Sequence, residues 1–291
     1  MSGATAIEGL RPSLSIKAVA RIANVSIDTI RAWEKRYRAI VPERGHGGRR
    51  IFSSVDVERL ILLRDIVATG VSISRVAKCE TTELRGMARD AAQRGESDDA
   101  EVVRILRSIR ARDVSVLCED LLQVALVRDA AEFGDDVIAA VLSEVERDVD
   151  IRQTGELLLS AALVSTSSML FAKYRIAHGP PMISLTLPGE HRAIPPLLAA
   201  LVAAEAGFDG MYVGTQIEPA DIEALVSDLN AVGIIIHAGM ESFEHMQAAL
   251  RLRSKLPHVH LILTGRGKSL APPDLVTVST LRELATVLRH G

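Results

Sequence analysis

The sequence is poor in the features that mark secreted, metal-bound or membrane-embedded proteins. Its only two cysteines, Cys79 and Cys118, are far apart and lack metal-ligand spacing, so neither a disulfide framework nor a zinc site is indicated. No stretch reaches about 18 uninterrupted apolar residues, and residues 1–12 lack the apolar core of a signal peptide. We therefore expect a soluble, cytoplasmic protein without a membrane partner.

Net charge is also small, at −3, but it is unevenly distributed along the 291 residues. Residues 1–78 contain 14 Lys and Arg against 7 Asp and Glu, whereas the remainder contains 20 basic and 30 acidic residues. Such asymmetry favours one nucleic-acid-binding domain joined to an acidic body. With 48% hydrophobic residues, the chain can form two or three domains of ordinary size.

Residues 26–37 have the pattern of an amphipathic helix with one basic face. Ser26 offers an N-cap hydroxyl. The apolar face consists of Ile27, Ile30, Trp33 and Tyr37, which can bury against a small core. The basic face consists of Arg31, Lys35 and Arg36. A basic face of helix width suits the major groove, although an isolated basic helix can equally be an ordinary solvated surface.

A glycine-rich basic stretch follows this helix after the break at Pro42. Its glycines permit a turn and its arginines suit phosphate contacts, so residues 44–52 are predicted to form a wing that ends in a short strand. Ser53 or Ser54 then caps another helix. The residues predicted to contact DNA are Ser26, Thr29, Arg31, Lys35, Arg36, Tyr37, Arg44, His46, Arg49 and Arg50.

Three spaced motifs in this region resemble the MerR family of winged-helix regulators. They are Ile30-Arg31-Ala32-Trp33-Glu34, Pro42-Glu43-Arg44 and Asp56-Val57-Glu58-Arg59-Leu60. The resemblance covers about residues 14 to 79 and implies a winged helix-turn-helix DNA-binding domain over residues 14–80. It further implies a transcriptional regulator that binds pseudo-palindromic, double-stranded operator DNA as a homodimer or higher homo-oligomer.

The rest of the chain divides into two patterns. Residues 98–178 contain four apolar helical stripes separated by short polar turns, which predict a four-helix bundle. In residues 181–291 short apolar strands alternate with helices, which predicts an α/β domain with a doubly wound parallel sheet. A ligand of such a sheet would lie at the carboxyl ends of the strands.

This domain order resembles the cobalamin-dependent, light-sensing regulators of the CarH type. In that group a Pro-Gly-Glu-x-His-x-x-Gly loop after the first strand supplies the histidine that ligates cobalt. Here the loop begins Pro188-Gly189-Glu190, but Arg192 stands at the ligand position and Pro195 at the glycine position.

The residues at the positions that cover the upper face of cobalamin also differ from those of the CarH-type group. Ala162 and Leu163 stand where the group has Glu and His, and the only tryptophan lies in the DNA-binding region. We therefore expect that the sensor domain has lost standard cobalamin ligation and carries no cofactor. A protein partner at this domain is then another source of the regulatory signal.

A second interpretation stays open, in which cobalamin or haem binds through a non-standard histidine. The candidate cofactor residues are then His191 and its neighbour Glu190. The histidines of this half of the chain are His178, His191, His237, His245, His258 and His260, and ordinary structural or surface roles explain them better than a ligand role does.

An enzyme is not expected, and no catalytic or metal-binding residues are assigned. Related cobalamin domains serve mutases and methyltransferases, but this sequence offers no substrate-binding barrel and no nucleophile with a paired base. Glu190 and His191 are an acid and a base that are adjacent in sequence, but adjacency alone does not make them a catalytic pair.

Overall fold

The structure is a computed structural model that describes residues 14–45, 48–68, 71–92, 97–174, 179–239, 243–265 and 275–290. The chain comprises two compact units, residues 1–97 and 98–291. Several sequence predictions lie outside the described residues. They concern the leader over residues 1–13, His46, the linker at Gly95 and Glu96, His178, and the loop residues Arg266 and Gly267.

The first unit has the predicted winged helix-turn-helix arrangement. Its elements are α1 (Ile16–Ile22), α2 (Ile27–Ala32) with a π-helical turn (Trp33–Tyr37), β1 (Glu43–Arg44), β2 (Arg50–Ile51), α3 (Ser54–Ala68), α4 (Ile73–Val76) and α5 (Thr81–Ala92). Strands β1 and β2 pair antiparallel and form the wing. The buried core of the unit includes Ile30 and Trp33 of the recognition helix, together with Phe52 and Leu60.

Local sequence explains where the recognition helix begins and ends. The Ser26 hydroxyl accepts a hydrogen bond from the amide of Thr29 at 3.0 Å, as predicted for an N-cap. Arg38 adopts a left-handed conformation with φ of 52°, which ends the helix. The π-helical turn was not predicted, because apolar spacing cannot distinguish one wide turn from α-helix. Ile27 and Tyr37 are only half-buried, so their side of the apolar face is less enclosed than predicted.

The second unit begins with the four helical rods of a bundle. They are α6 (Ser97–Ala111), α7 (Val114–Ala125), the rod formed by α8 (Ala130–Glu132), a π-helical turn (Phe133–Ile138) and α9 (Ala139–Arg147), and α10 (Gly155–Tyr174). By length and composition α10 could cross a bilayer, but the core helix of a bundle has the same properties. Leu159, Leu163 and Leu170 of α10 are buried, which fits the bundle core.

A five-stranded parallel sheet follows, with helices between its strands. The elements are β3 (Pro181–Thr186), α11 (Ile194–Glu205), β4 (Asp209–Gly214), α12 (Pro219–Leu229), β5 (Gly233–His237), α13 (Phe243–Lys255), β6 (His260–Thr264), β7 (Val276–Val278) and α14 (Leu281–His290). The strand order is β4-β3-β5-β6-β7. The register aligns Thr186 with His237 and His237 with Thr264, so three polar side chains meet at the carboxyl edge of the sheet.

Hydrogen bonds and close packing join the bundle to the helices of the sheet within the second unit. The Asp135 carboxylate accepts hydrogen bonds from the backbone amides of Leu281 and Arg282, both at 3.0 Å, at the start of α14. Gly134 leaves no room for a side chain, because an added Cβ would meet Leu281. The boundary between residues 98–178 and 181–291 as separate domains stays a prediction, since the structure places both in one compact unit.

We predict that Asp135→Ala lowers the free energy of unfolding of the second unit by about 1–2 kcal/mol, because two helix-terminal amides lose their acceptor. Asp136→Ala is the matched control. Within the described ranges its side chain pairs with that of Arg282 at the surface, so the change should cost about 0–1 kcal/mol. Urea denaturation, with hydrogen exchange of the α14 amides, measures both effects. Equal protection of α14 in the two variants would contradict the capping role of Asp135.

Candidate DNA interface and candidate sensor site

The recognition helix presents three exposed cations on one face. Arg31 lies 3.4 Å from Asp28, but both side chains are largely exposed, so this ion pair is weak and leaves Arg31 available to a ligand. Lys35 and Arg36 are exposed and make no ion pair with the described residues. The helix can therefore present fixed positive charge to an anionic surface.

Three other residues predicted to contact DNA have roles within the fold. The Ser26 hydroxyl caps α2 and lies 2.8 Å from the Thr29 hydroxyl. Tyr37 is half-buried at the end of the helix. Direct DNA contacts by these side chains remain predictions.

Glu34 connects the recognition helix to both strands of the wing. Its Oε2 accepts a hydrogen bond from Nε of Arg50 at 2.6 Å, and its Oε1 lies 3.5 Å from Nη2 of Arg44. Arg44 also donates to the carbonyl oxygen of Gly48 in the wing turn at 3.2 Å. Arg44 and Arg49 are both exposed, but Arg49 makes no ion pair with the described residues. Arg50 and Arg44 thus hold the wing, while Arg49 projects from it.

Glu34 is not among the residues that the sequence predicts to contact DNA. The available signal was an acidic residue that interrupts an otherwise basic stretch. Its side chain is only 15% exposed, so it is an internal partner for the wing arginines rather than a surface charge.

At the carboxyl edge of the parallel sheet, Glu190 and Arg192 form a closed ion pair. Arg192 donates to Glu190 from its backbone amide (3.0 Å), from Nε (3.0 Å) and from Nη2 (2.8 Å). Burial opposes ionisation of Glu190, but these hydrogen bonds and the charge of Arg192 outweigh it and lower the pKa of the carboxyl to about 2. The guanidinium occupies the space that a side chain at Gly239 would need.

His237 lies beside this pair, at the end of β5. Its Nδ1 is 3.1 Å from the Thr264 hydroxyl, and its Nε2 is buried without a hydrogen-bond partner among the described residues. Burial, helped by the charge of Arg192, lowers the pKa of His237 to about 4. The imidazole is therefore neutral near pH 7. Sequence reasoning had left His237 among several histidines without a particular role.

The other histidines of the sheet are less suited to bind a cofactor. His191 is exposed, one residue before Arg192, and His258 and His260 are exposed as well. Nε2 of His245 lies 2.6 Å from the carbonyl oxygen of Pro188. Within the described part of the chain, no three His, Cys, Asp or Glu side chains are grouped to hold a metal ion.

The two bundle residues that stand where the CarH-type group has Glu and His are apolar and buried. Ala162 and Leu163 are fully buried on α10, where the carbonyl oxygen of Ala162 accepts a bond from the Cys118 thiol of α7 at 3.8 Å. They contribute to the bundle core and carry no polar group that could face a ligand.

Comparison with known proteins assigns the first unit. Residues 14–81 match the family model described as MerR HTH family regulatory protein. This is a MerR-type DNA-binding domain. Its helix, wing and α3 are the elements that the sequence motifs predicted.

Two relatives extend the comparison along the chain. The HTH-type transcriptional repressor CarH of Myxococcus xanthus is 28% identical over 259 residues, which cover 83% of this chain and 85% of the relative. The HTH-type transcriptional regulator MlrA of Escherichia coli is 34% identical over 62 residues, or 21% of this chain and 26% of the relative.

The second unit is similar in fold to a corrinoid protein. The monomethylamine corrinoid protein of Methanosarcina barkeri matches with a TM-score of 0.50 and 13% identity, over 66% of this chain and 99% of that structure. The chain therefore carries a MerR-type DNA-binding domain, and its C-terminal part shares the fold of a corrinoid protein.

We predict that Arg49→Ala weakens binding to all DNA sequences alike and reduces the slope of log K against log salt by about 0.9, because one phosphate contact is lost. Arg152→Ala, which removes an exposed arginine from the second unit, is the control for a general loss of charge. Fluorescence anisotropy over a range of salt concentrations measures both. An unchanged salt slope in Arg49→Ala would show that the wing does not contact phosphates as assigned.

We also predict that His237 makes the second unit less stable in acid. Its folded pKa, about 4, is below the ordinary value of 6.5, so the unfolded chain binds more protons between these two values. Stability contributed by neutral His237 is present above pH 6.5 and lost as the pH falls towards 4, by on the order of 3 kcal/mol.

His237→Asn, which can keep a hydrogen bond to Thr264, should lack this part of the pH dependence. Urea denaturation of both proteins between pH 7 and about 4.5, within the window set by the two pKa values, isolates the difference. Parallel curves would show that His237 is not the residue responsible.

Proposed function

We propose that this chain is a cytoplasmic, sequence-specific transcriptional regulator that binds pseudo-palindromic operator DNA as a homodimer or higher homo-oligomer. The observation that supports this most directly is the MerR-type domain, with exposed Arg31, Lys35, Arg36 and Arg49 on its recognition helix and wing. Two-fold pairing of such domains gives operators with two-fold symmetry. The other predicted contacts, from Ser26, Thr29, Tyr37, Arg44, His46 and Arg50, belong to the same proposal.

We further propose that the sensor region has lost standard cobalamin ligation. Arg192 stands at the ligand position of the resemblance, and a protonated guanidinium has no lone pair to offer a metal. Its three hydrogen bonds to Glu190 also hold it in place. The residues at this position therefore do not fit cobalt ligation.

The loop itself is stiffer than a ligand loop with glycine. Pro195 and Pro196 follow Ile194 in the first turn of α11, so two amides that could bind a polar group at this helix end are missing. DNA binding is then constitutive or set by a protein partner that contacts the sensor region. No enzymatic activity is proposed, since none of the described side chains pairs a nucleophile with a base in this site.

A second candidate function is favoured by one observation. The buried Nε2 of His237 lacks a partner in the described part of the chain, and a neutral imidazole in that state can act as a metal ligand. In this candidate the regulator binds cobalamin or haem through a non-standard histidine, His237 or the exposed His191 next to Glu190.

We predict that the purified protein does not bind adenosylcobalamin at micromolar concentration in the dark and shows no light-dependent change in operator affinity. Equilibrium dialysis, the corrin absorption spectrum and DNA anisotropy before and after illumination measure this. The double variant Arg192→His, Pro195→Gly restores the pattern of the resemblance and should gain measurable binding, because it supplies a lone pair and frees the loop.

Binding by the unchanged protein would overturn the proposed loss. The variants His191→Ala and His237→Ala would then identify the ligand, since only the residue that coordinates the cobalt should abolish binding when replaced. Haem is tested in the same way, by its absorption spectrum with the same two variants. A protein that still binds DNA but carries no cofactor would leave the regulator assignment intact.

A further inference from the structure

Glu34 is placed to control the wing of the MerR-type domain without contacting DNA itself. Its carboxylate bonds to Arg50 on β2 at 2.6 Å and approaches Arg44 on β1 at 3.5 Å, while its own backbone belongs to the recognition helix. One side chain therefore spans the helix and both strands of the hairpin. We propose that Glu34 is a positioning residue that sets the wing against the recognition helix, so that Arg49 reaches the DNA backbone while Arg36 lies in the major groove.

The strand pairing within the wing is short. Strands β1 and β2 pair over only two residues each, and a two-stranded hairpin of this length is not stable alone. The bridge between Leu14 and Phe52 anchors the chain just after β2. The turn itself contains Gly48 with φ of 71°, and glycine gives the backbone there much freedom. The ion pairs of Glu34 thus supply a restraint that the short hairpin lacks.

The carboxylate is needed in its charged form to hold both arginines. Each of its oxygens faces a different guanidinium, and an amide offers one oxygen acceptor and one NH2 donor. Glu34→Gln can therefore satisfy either Arg50 or Arg44, and it places a donor against the other cation. The shape of the side chain stays nearly the same, so the change addresses charge and hydrogen bonding rather than packing.

The loss of a negative charge and the loss of wing positioning have opposite expected effects on the DNA affinity of Glu34→Gln. Removing a negative charge from a DNA-facing domain should strengthen binding to polyanionic DNA, because repulsion is reduced. If Glu34 positions the wing, Glu34→Gln should instead weaken binding roughly tenfold, since the contact from Arg49 and those beside it are lost. The sign of the change separates the two explanations.

The proposal rests on DNA binding by the first unit, so the experiment begins with the unchanged full-length chain. It is used to enrich duplexes from a randomised DNA pool, and the enriched duplex is the probe. Affinities are then measured for Arg49→Ala and Arg36→Ala, each alone and combined with Glu34→Gln. We expect the cost of Arg49→Ala to fall to near zero in the Glu34→Gln background, while Arg36→Ala keeps its full cost.

Folding is checked separately by circular dichroism and thermal unfolding of each variant. Glu34→Asp keeps the negative charge on a side chain one methylene shorter, and it should lose less affinity than Glu34→Gln. It serves as the second variant if Glu34→Gln folds poorly. Equal or tighter binding by folded Glu34→Gln, or an unchanged cost of Arg49→Ala in that background, would overturn the proposal. A wild-type chain that enriches no sequence would overturn DNA binding itself, and the role of Glu34 with it.

Discussion

A carboxylate removed from water needs a cation or several hydrogen bonds, and this constraint shapes both candidate sites of the protein. Glu34 meets it through Arg50 and Arg44, and Glu190 meets it through Arg192. In the first unit Glu58, with only 1% of its side chain exposed, pairs with Arg85 of α5. In each case an arginine that could have served a ligand is held by the fold instead.

The consequences of such pairing differ between the two units. In the MerR-type domain it ties Arg50 and, more loosely, Arg44 to Glu34 and leaves Arg49 exposed, so part of the basic stretch supports the hairpin. In the sensor region it closes the loop after β3, since Arg192 binds Glu190 through three donors. The same chemistry thus supports the wing hairpin in one unit and holds the Arg192 side chain in the other.

The sequence predicted the elements well where a single periodicity governed them. Apolar spacing located the recognition helix, the bundle helices and the alternating strands, and the Ser26 cap followed from its hydroxyl before the first apolar residue. It could not predict the π-helical turn at Trp33, because the extra residue in one turn leaves the apolar pattern almost unchanged. The partners of Glu34 were also hidden, since Arg50 is sixteen residues away and only the hairpin brings it close.

The sensor region was predictable in outline but not in its contacts. Motif positions indicated that Arg192 replaces a ligand, but sequence could not show that Glu190 would hold its side chain or that Gly239 would make room for it. Likewise, the contact between His237 Nδ1 and the Thr264 hydroxyl depends on the register of β5 with β6, which places the two residues side by side. Contacts across strands are set by tertiary alignment, and a single sequence carries little direct signal of it.

The ion pair at Arg192 also limits how this regulator can be controlled. An effector shifts a conformational equilibrium only by its difference in affinity between the two states. A ligand at the carboxyl edge of the sheet would have to separate Arg192 from Glu190, and doing so would leave a largely buried carboxylate without its cation. The free-energy cost of separating the pair raises the free energy of the bound state. It therefore lowers the affinity of any effector that does not itself supply a positive charge to Glu190 or an anion to Arg192. An input at this edge should therefore be a group of matching charge, such as an acidic or basic protein segment, rather than a neutral apolar molecule.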